Sequence, residues 1–369
     1  MKVICTQENL NKGLMIVNHV ASKNSTLPIL NNVLLEAKDG VLKLATTNLE
    51  IGINSIVRGR IEQEGSITIT AKLLADYIHL LPNEQITLEV VDSVLHIQCE
   101  KHRTKINGVS SDEFPLIPQI EKKNHTVVNI VSFKKALSQV AFAAAHDDTR
   151  PEISGVFFNF DHQSLILAAT DSYRLAEKKL GLDKPIESPQ NAIVPVKTIG
   201  ELLRSIDDQG ESQNIEIILG DNQIKFSFSG TEIISRLIEG QYPDYRQIIP
   251  ADFKTQCFVN VGQLSGLVKS ASLFCRDGLN DIHLIFNAGD KELIVKSSNS
   301  QLGENISSIE TEVNGDANDI IFNFRYLLDG LNVMGLEEVN IKLIDSQCPG
   351  LLTPKNDEEY RYIIMPIKQ

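Results

Sequence analysis

Three stretches decide the architecture: ITAKLLADYIHLLP (69–82), IVPVKTIGELLRSI (193–206) and IFNFRYLLDGLNVM (321–334). Each reads as the end of a strand running into an amphipathic helix, with apolar residues returning every three or four positions. A cation stands at the start of the helix each time: Lys72, Lys197 and Arg325. These landmarks recur at a period of roughly 125 residues, too long for a solenoid and suited to whole domains. A second, independent set, Asn48, Asp171 and Asn299, keeps the same period.

Outward from that helix, each third of the chain repeats four elements in one order. A first helix opens the unit: QENLNKGLMIVNHVASKN (7–24), SFKKALSQVAFAAAH (132–146) and VGQLSGLVKSASLFCRD (261–277). A hairpin follows, cued in the first copy by Asp39-Gly40. The quoted helix comes third, and a last strand pair such as ITLEVVDSVLHIQCE (86–100) closes the unit. Two helices against antiparallel strands make each unit α+β. Pro-rich polar linkers at 114–127 and 242–256 give expected domains of 1–120, 127–250 and 254–369.

The 369 residues allow several domains, and 42% hydrophobic with 22% charged content is ordinary for a globular chain. No apolar run approaches the roughly 20 residues of a membrane span. The opening MKVICTQENLNKG lacks the basic and apolar regions of a secretory signal, which predicts a cytoplasmic protein. Five scattered cysteines, Cys5, Cys99, Cys257, Cys275 and Cys348, read as reduced thiols with no zinc spacing.

A net charge of −13 argues against nucleic-acid binding if taken as a whole. Its distribution matters more. Lys12, Lys72, His79, Lys134, Lys135, Lys197, Arg204 and Arg325 lie in the expected helices, whereas the strands and loops hold most carboxylates. Helices lining one surface would give a basic inner face inside an acidic shell. Six helices, each about 10 Å wide, close on a hole of only about 9 Å; twelve leave about 28 Å. A duplex therefore requires two chains, if helices line the hole.

The sequence motifs of catalysis are lacking. The chain has no GxSxG elbow, HExxH, phosphate loop or GxGxxG fingerprint. His146-Asp147-Asp148 is the best-looking cluster, and a helix C-terminus explains its histidine better than a metal or hydrolase does. Tyr173-Arg174 after Asp171 reads as a strand-end ion pair rather than an acid–base pair. The expectation is no enzyme, no cofactor and no metal. The alternatives are an enzyme using a cleft of 169–175 and 362–367, or a stacking protein that never meets DNA.

TLPILNNVLL (26–35), ATDSYRLA (169–176), YPDYR (242–246) and YIIMPIKQ (362–369) together resemble the bacterial DNA polymerase III beta subunits, the sliding clamps. The resemblance runs through the whole chain in order. It implies the DNA clamp fold, three similar domains per chain, and a head-to-tail homodimeric ring around double-stranded DNA. Such a ring is a processivity factor in DNA replication. It tethers the polymerase III alpha subunit, the clamp loader, other polymerases and repair proteins through short peptides, with no membrane partner.

Carried over by position, the peptide pocket comprises Ile153, Thr170, Ser172, Tyr173, Arg174, Leu175, Pro243, Gln247, Ile248, Ile363, Ile364, Met365, Pro366 and Ile367. Asn24, Lys72, His79, His146, Arg150 and Lys197 match family positions facing DNA, and Thr104, Ile106, Leu273 and Phe274 match dimer contacts. The chain departs from the family at Ser172-Tyr173, usually Gly-His, and at Gln247 and Asn24, often Arg. From the residues alone, IIMPI is an adaptable apolar strand that reads equally as a peptide site or as a plain C-terminal edge strand. The four dimer positions read equally as ordinary core.

Overall fold

The computed structural model describes residues 1–21, 27–120, 125–147, 149–207, 213–335 and 337–368. Six α-helices lie among them: α1 (Gln7–Val17), α2 (Ala71–His79), α3 (Ile130–Ala141), α4 (Val196–Ser205), α5 (Val261–Ser272) and α6 (Phe324–Val333). They are the six read from the sequence, with shorter ends. α1 stops at Val17, well before the expected 24, and Lys23 and Asn24 lie outside the described residues.

Local chemistry sets the helix starts. Thr6 Oγ1 accepts from Asn9 N at 3.3 Å for α1, Asn260 Oδ1 from Gln263 N at 3.0 Å for α5, and Asn323 Oδ1 from Arg325 N at 2.9 Å for α6. These caps satisfy amides that have no partner inside the helix. The expected apolar stripes are buried at Leu10, Leu14 and Val17 on α1 and at Leu264, Val268 and Ala271 on α5, where Leu267 is only half-buried.

The chain forms two compact units: residues 1–131 with 197–237, and residues 132–196 with 238–369. In the first unit a five-stranded sheet runs Gly59–Gln63, Lys2–Thr6, Gln85–Val91, Val94–Cys99, His102–Asn107. An eight-stranded sheet joins Gly65–Thr70, Asn32–Lys38, Val41–Thr47 and Ile51–Val57 of the first repeat to Thr231–Arg236, Gln223–Phe228, Asn214–Leu219 and His125–Asn129 of the second. The seam is the antiparallel pairing of Thr231–Arg236 with Ile51–Val57.

The second unit repeats the device. Its four-stranded sheet runs Gly303–Glu310, Glu292–Asn299, Asp281–Asn287, Asn318–Asn323. Its nine-stranded sheet is seamed by Arg174–Gly181 against Tyr360–Ile364, with Leu175 opposite Ile363. The C-terminal strand also pairs with Gly350–Pro354 on its other side, which overturns the edge-strand reading. α6 is drawn close to that strand because Gly330 has no side chain: a Cβ there would meet the Tyr362 ring at 2.2 Å. Tyr362 Oη then donates to Tyr326 O at 2.7 Å.

The periodic landmarks play one structural part. Asn48 Oδ1 accepts from Glu50 N and Ile51 N, Asp171 Oδ1 from Tyr173 N and Arg174 N, and Asn299 Oδ1 from Gln301 N. Each is an Asx turn between two strands. Four cysteines are buried, and burial pushes the Cys5 thiol up to about 12, as suits an inert core thiol. No described helix is long and apolar enough to cross a membrane.

Candidate functional site

The Asp171 turn and the C-terminal strand bring a cleft of about 190 Å³ together in the second unit. Ile153, Thr170, Ser172, Arg174, Pro243, Ile248, Ile363 and Met365 line it, all of them among the pocket positions carried over above. Beneath lies an aromatic floor. The Tyr242 ring stacks on Phe157 at 4.8 Å, and Tyr245, edge-on to Tyr242, donates its Oη to Glu177 Oε2 at 2.7 Å. Burial and then the Glu177 charge push the Tyr245 phenol up, so it stays a neutral donor. Leu175 and Ile363, both fully buried, complete the cluster.

Arg174 fixes the turn. It is 8% exposed; Nε donates to Asp171 Oδ2 at 2.9 Å, Nη1 to Asp329 Oδ2 at 2.5 Å and Nη2 to Phe142 O at 3.0 Å. Its guanidinium also lies 4.6 Å from the Tyr326 ring centroid. The strand-end ion pair read from the sequence is therefore present, and it is structural. Ser172 sits at φ 77°, the left-handed region that glycine favours. Its Oγ accepts from Arg150 Nη1 at 2.9 Å.

Several expected pocket residues stand elsewhere. Ile364 is fully buried on the other side of the strand, and Pro366 is buried too. Ile367 lines a separate cavity of about 490 Å³ with Ile321 and Ile344, and its amide donates to Ile321 O at 2.8 Å. Tyr173 is 63% exposed and stacks on Tyr326 at 6.4 Å, outside the cleft lining. Gln247 is not in the lining and donates at 2.7 Å to Asp244 Oδ2, which is. In return the cleft gains Asp244, Tyr245 and Arg150, the last expected on the DNA side. The tyrosine and aspartate were legible in YPDYR (242–246); the arginine was not, because its placement depends on the Pro151–Ile153 turn.

Of the remaining DNA-side positions, Lys72 and Lys197 are exposed at the second residue of α2 and α4, as Arg325 is on α6. Lys72 pairs with Asp76 at 2.6 Å. His79 ends α2, where the helix dipole favours it. His146 does not end a helix: α3 closes at Ala141, so the dipole account fails, and Asp147 instead accepts from Thr149 N at 2.7 Å. No cluster of metal-ligating side chains occurs among the described residues.

The dimer positions divide. Leu273 is 72% exposed at the end of α5 with Phe274 half-buried beside it, so the core reading fails there. Ile106 is buried and Thr104 half-buried on the outermost strand of the five-stranded sheet. Leu73 and Leu80, 52% and 81% exposed on and just after α2, are further apolar side chains open to solvent that the sequence reading did not single out. They sit off the Leu74–Ile78 stripe, the signal that could have marked them.

Family models match the chain end to end. Residues 1–118 match the N-terminal domain of the DNA polymerase III beta subunit, 127–244 its central domain and 246–368 its C-terminal domain. The beta sliding clamp of Bacillus subtilis (strain 168) is 29% identical over 378 residues, covering 100% of both chains. That of Synechocystis sp. is 30% identical over 388 residues, covering 100% of this chain and 99% of the relative. Among solved structures, the B. subtilis sliding clamp superposes with a TM-score of 0.94 at 28% identity, covering 100% of this chain and 99% of that one. The Pseudomonas aeruginosa clamp bound to griselimycin does so at 0.94 and 27%, covering 100% of both. Full-length agreement in both sequence and fold has one consequence: the chain belongs to the DNA polymerase III beta subunit family, the bacterial sliding clamps.

Proposed function

We propose that this sliding clamp, a non-enzymatic DNA polymerase processivity factor, closes as a head-to-tail homodimer around duplex DNA and holds its partners at the Met365 cleft. The observation that carries the reading is threefold. The second helix of every repeat opens with an exposed cation at its second residue: Lys72, Lys197, Arg325. A positive charge there opposes the helix dipole at a cost of about 0.3–1 kcal/mol each. Three such placements make sense if a phosphate backbone faces those helix starts. The test uses protein loaded by its clamp loader on a nicked circular duplex. It should survive a high-salt wash and leave once the circle is cut; equal retention on circle and line would refute encirclement.

Two open sheet edges support the dimer. His102–Asn107 carries exposed Arg103 and Lys105 after Lys101, while Gly303–Glu310 carries exposed Glu304 and Glu310. Unlike edges of opposite charge suit head-to-tail pairing of two copies. Exposed Leu273, Leu302 and Ile306 would supply apolar contact on one side, Leu73 and Leu80 on the other. At the cleft, Ile363 and Met365 would receive short peptides from the polymerase III alpha subunit, the clamp loader and repair proteins. The repeat boundaries near 120–127 and 250–254, and a cytoplasmic location, belong to the same reading.

A further inference from the structure

One carboxylate in the lining of the cleft has no cation partner among the described residues. Arg174 is held by Asp171 and Asp329, one cation between two anions. On the other wall Arg150 Nε donates to Glu152 Oε1 at 3.1 Å, and its Nη1 to Ser172 Oγ at 2.9 Å. Asp244 lines the same cleft and is exposed. It precedes the short helix Tyr245–Ile248, yet its carboxylate caps no amide there. Its bond is to the neutral Gln247 amide at 2.7 Å, and no cation among the described residues lies within 4.0 Å of it. Its neighbour Arg246 lines a different groove, with Phe253 and Leu351. Of the three charged residues in the lining, Arg150 and Arg174 are therefore already paired, and Asp244 alone has no charged partner among the described residues.

We propose that Asp244 makes this cleft selective for peptides that carry a lysine or arginine beside their aliphatic anchors, and biased against acidic ones. The proposal rests on the cleft being the partner site. The apolar anchors enter over Ile153, Ile248, Ile363 and Met365, where burial supplies most of the affinity. The flanking charge meets Asp244 at the rim. An exposed carboxylate still attracts a cation and repels an anion placed beside it, which sets preference more than strength. Gln247 holds the Asp244 carboxylate in place without neutralising it.

Three synthetic peptides share two leucine anchors and differ at one flanking residue: lysine, glutamine or glutamate. Each is titrated against the full-length protein by fluorescence anisotropy at low salt. The lysine peptide should bind about tenfold more tightly than the glutamate peptide, with glutamine between them. The gap should narrow as ionic strength rises, since the Debye length shrinks from about 30 Å at 0.01 M to about 10 Å at 0.1 M. Asp244→Asn should bring the three within about twofold of each other, and Gln247→Arg should remove or invert the order. Equal binding of all three to the unaltered protein, or a lysine preference that survives Asp244→Asn, overturns the proposal while leaving the cleft as the peptide site. Failure of all three to bind, with glutamine included, overturns the cleft reading itself and this proposal with it.

Discussion

Ser172 occupies a backbone conformation that costs a non-glycine residue about 1–2 kcal/mol, in the turn that shapes the cleft. What holds it is visible: its amide donates to Thr170 Oγ1 at 3.1 Å and its hydroxyl accepts from Arg150. Ser172→Gly should relieve the strain, partly offset by the freer unfolded chain, for a net gain of about 0.5 kcal/mol. A thermal melt should show Tm higher by about 1–2 °C. A lower Tm would mean the Arg150 bond outweighs the strain. Asp171 was legible in the sequence as a periodic landmark, and its spacing with Asn48 and Asn299 correctly marked equivalent turns. The Arg174 contacts to Asp329 and Phe142 were not legible, because those partners arrive from distant helices and loops.

α5 shows how an element end is secured. Its last turn leads to Arg276, whose guanidinium Nε lies 2.9 Å from Asp281 Oδ2. Burial alone would raise the Asp281 carboxyl; the Arg276 bond and charge, with backbone amides, carry it below its ordinary value. A depressed carboxylate contributes stability above its unfolded pKa of about 3.9 and loses it as pH falls through the folded value. Asp281→Asn should therefore lower Tm at pH 7 by the equivalent of about 1 kcal/mol, a figure kept small because Arg276 is half exposed. The difference should begin to shrink below about pH 4 and should vanish only once the pH has fallen past the depressed folded value. A constant difference down to low pH would remove the ion pair as the cause. The C-terminal segment is a second element whose end is secured, since the Met365 amide donates to Tyr173 O at 2.9 Å and its side chain walls the cleft. Truncation from Met365 onward should weaken partner peptides by about tenfold or more and leave the sedimentation of the dimer unchanged. Unaltered peptide affinity would move the site elsewhere.

Assembly tests the molecule as a whole. Leu273→Asp puts a charge on the exposed apolar end of α5. It should weaken dimerisation by about 100-fold, read as a shift to monomer in sedimentation velocity. An unshifted dimer would take Leu273 out of the interface. The repeat, the six helices and their cationic starts were written in the chain itself, since helical spacing and capping act between residues three or four apart. The family resemblance in four short segments followed from the same local order. The division of the middle repeat between two compact units was not written there. It arises because Thr231–Arg236 and Arg174–Gly181 find hydrogen-bonding partners in other repeats, and an unpaired strand edge accepts whichever partner the fold delivers. The same holds for the cleft. In Ile363-Ile364-Met365 every residue is apolar, so no alternation marks which ones face the opening. Pairing of Ile363 with Leu175 chose the face, sending Ile363 and Met365 to one side and Ile364 to the other.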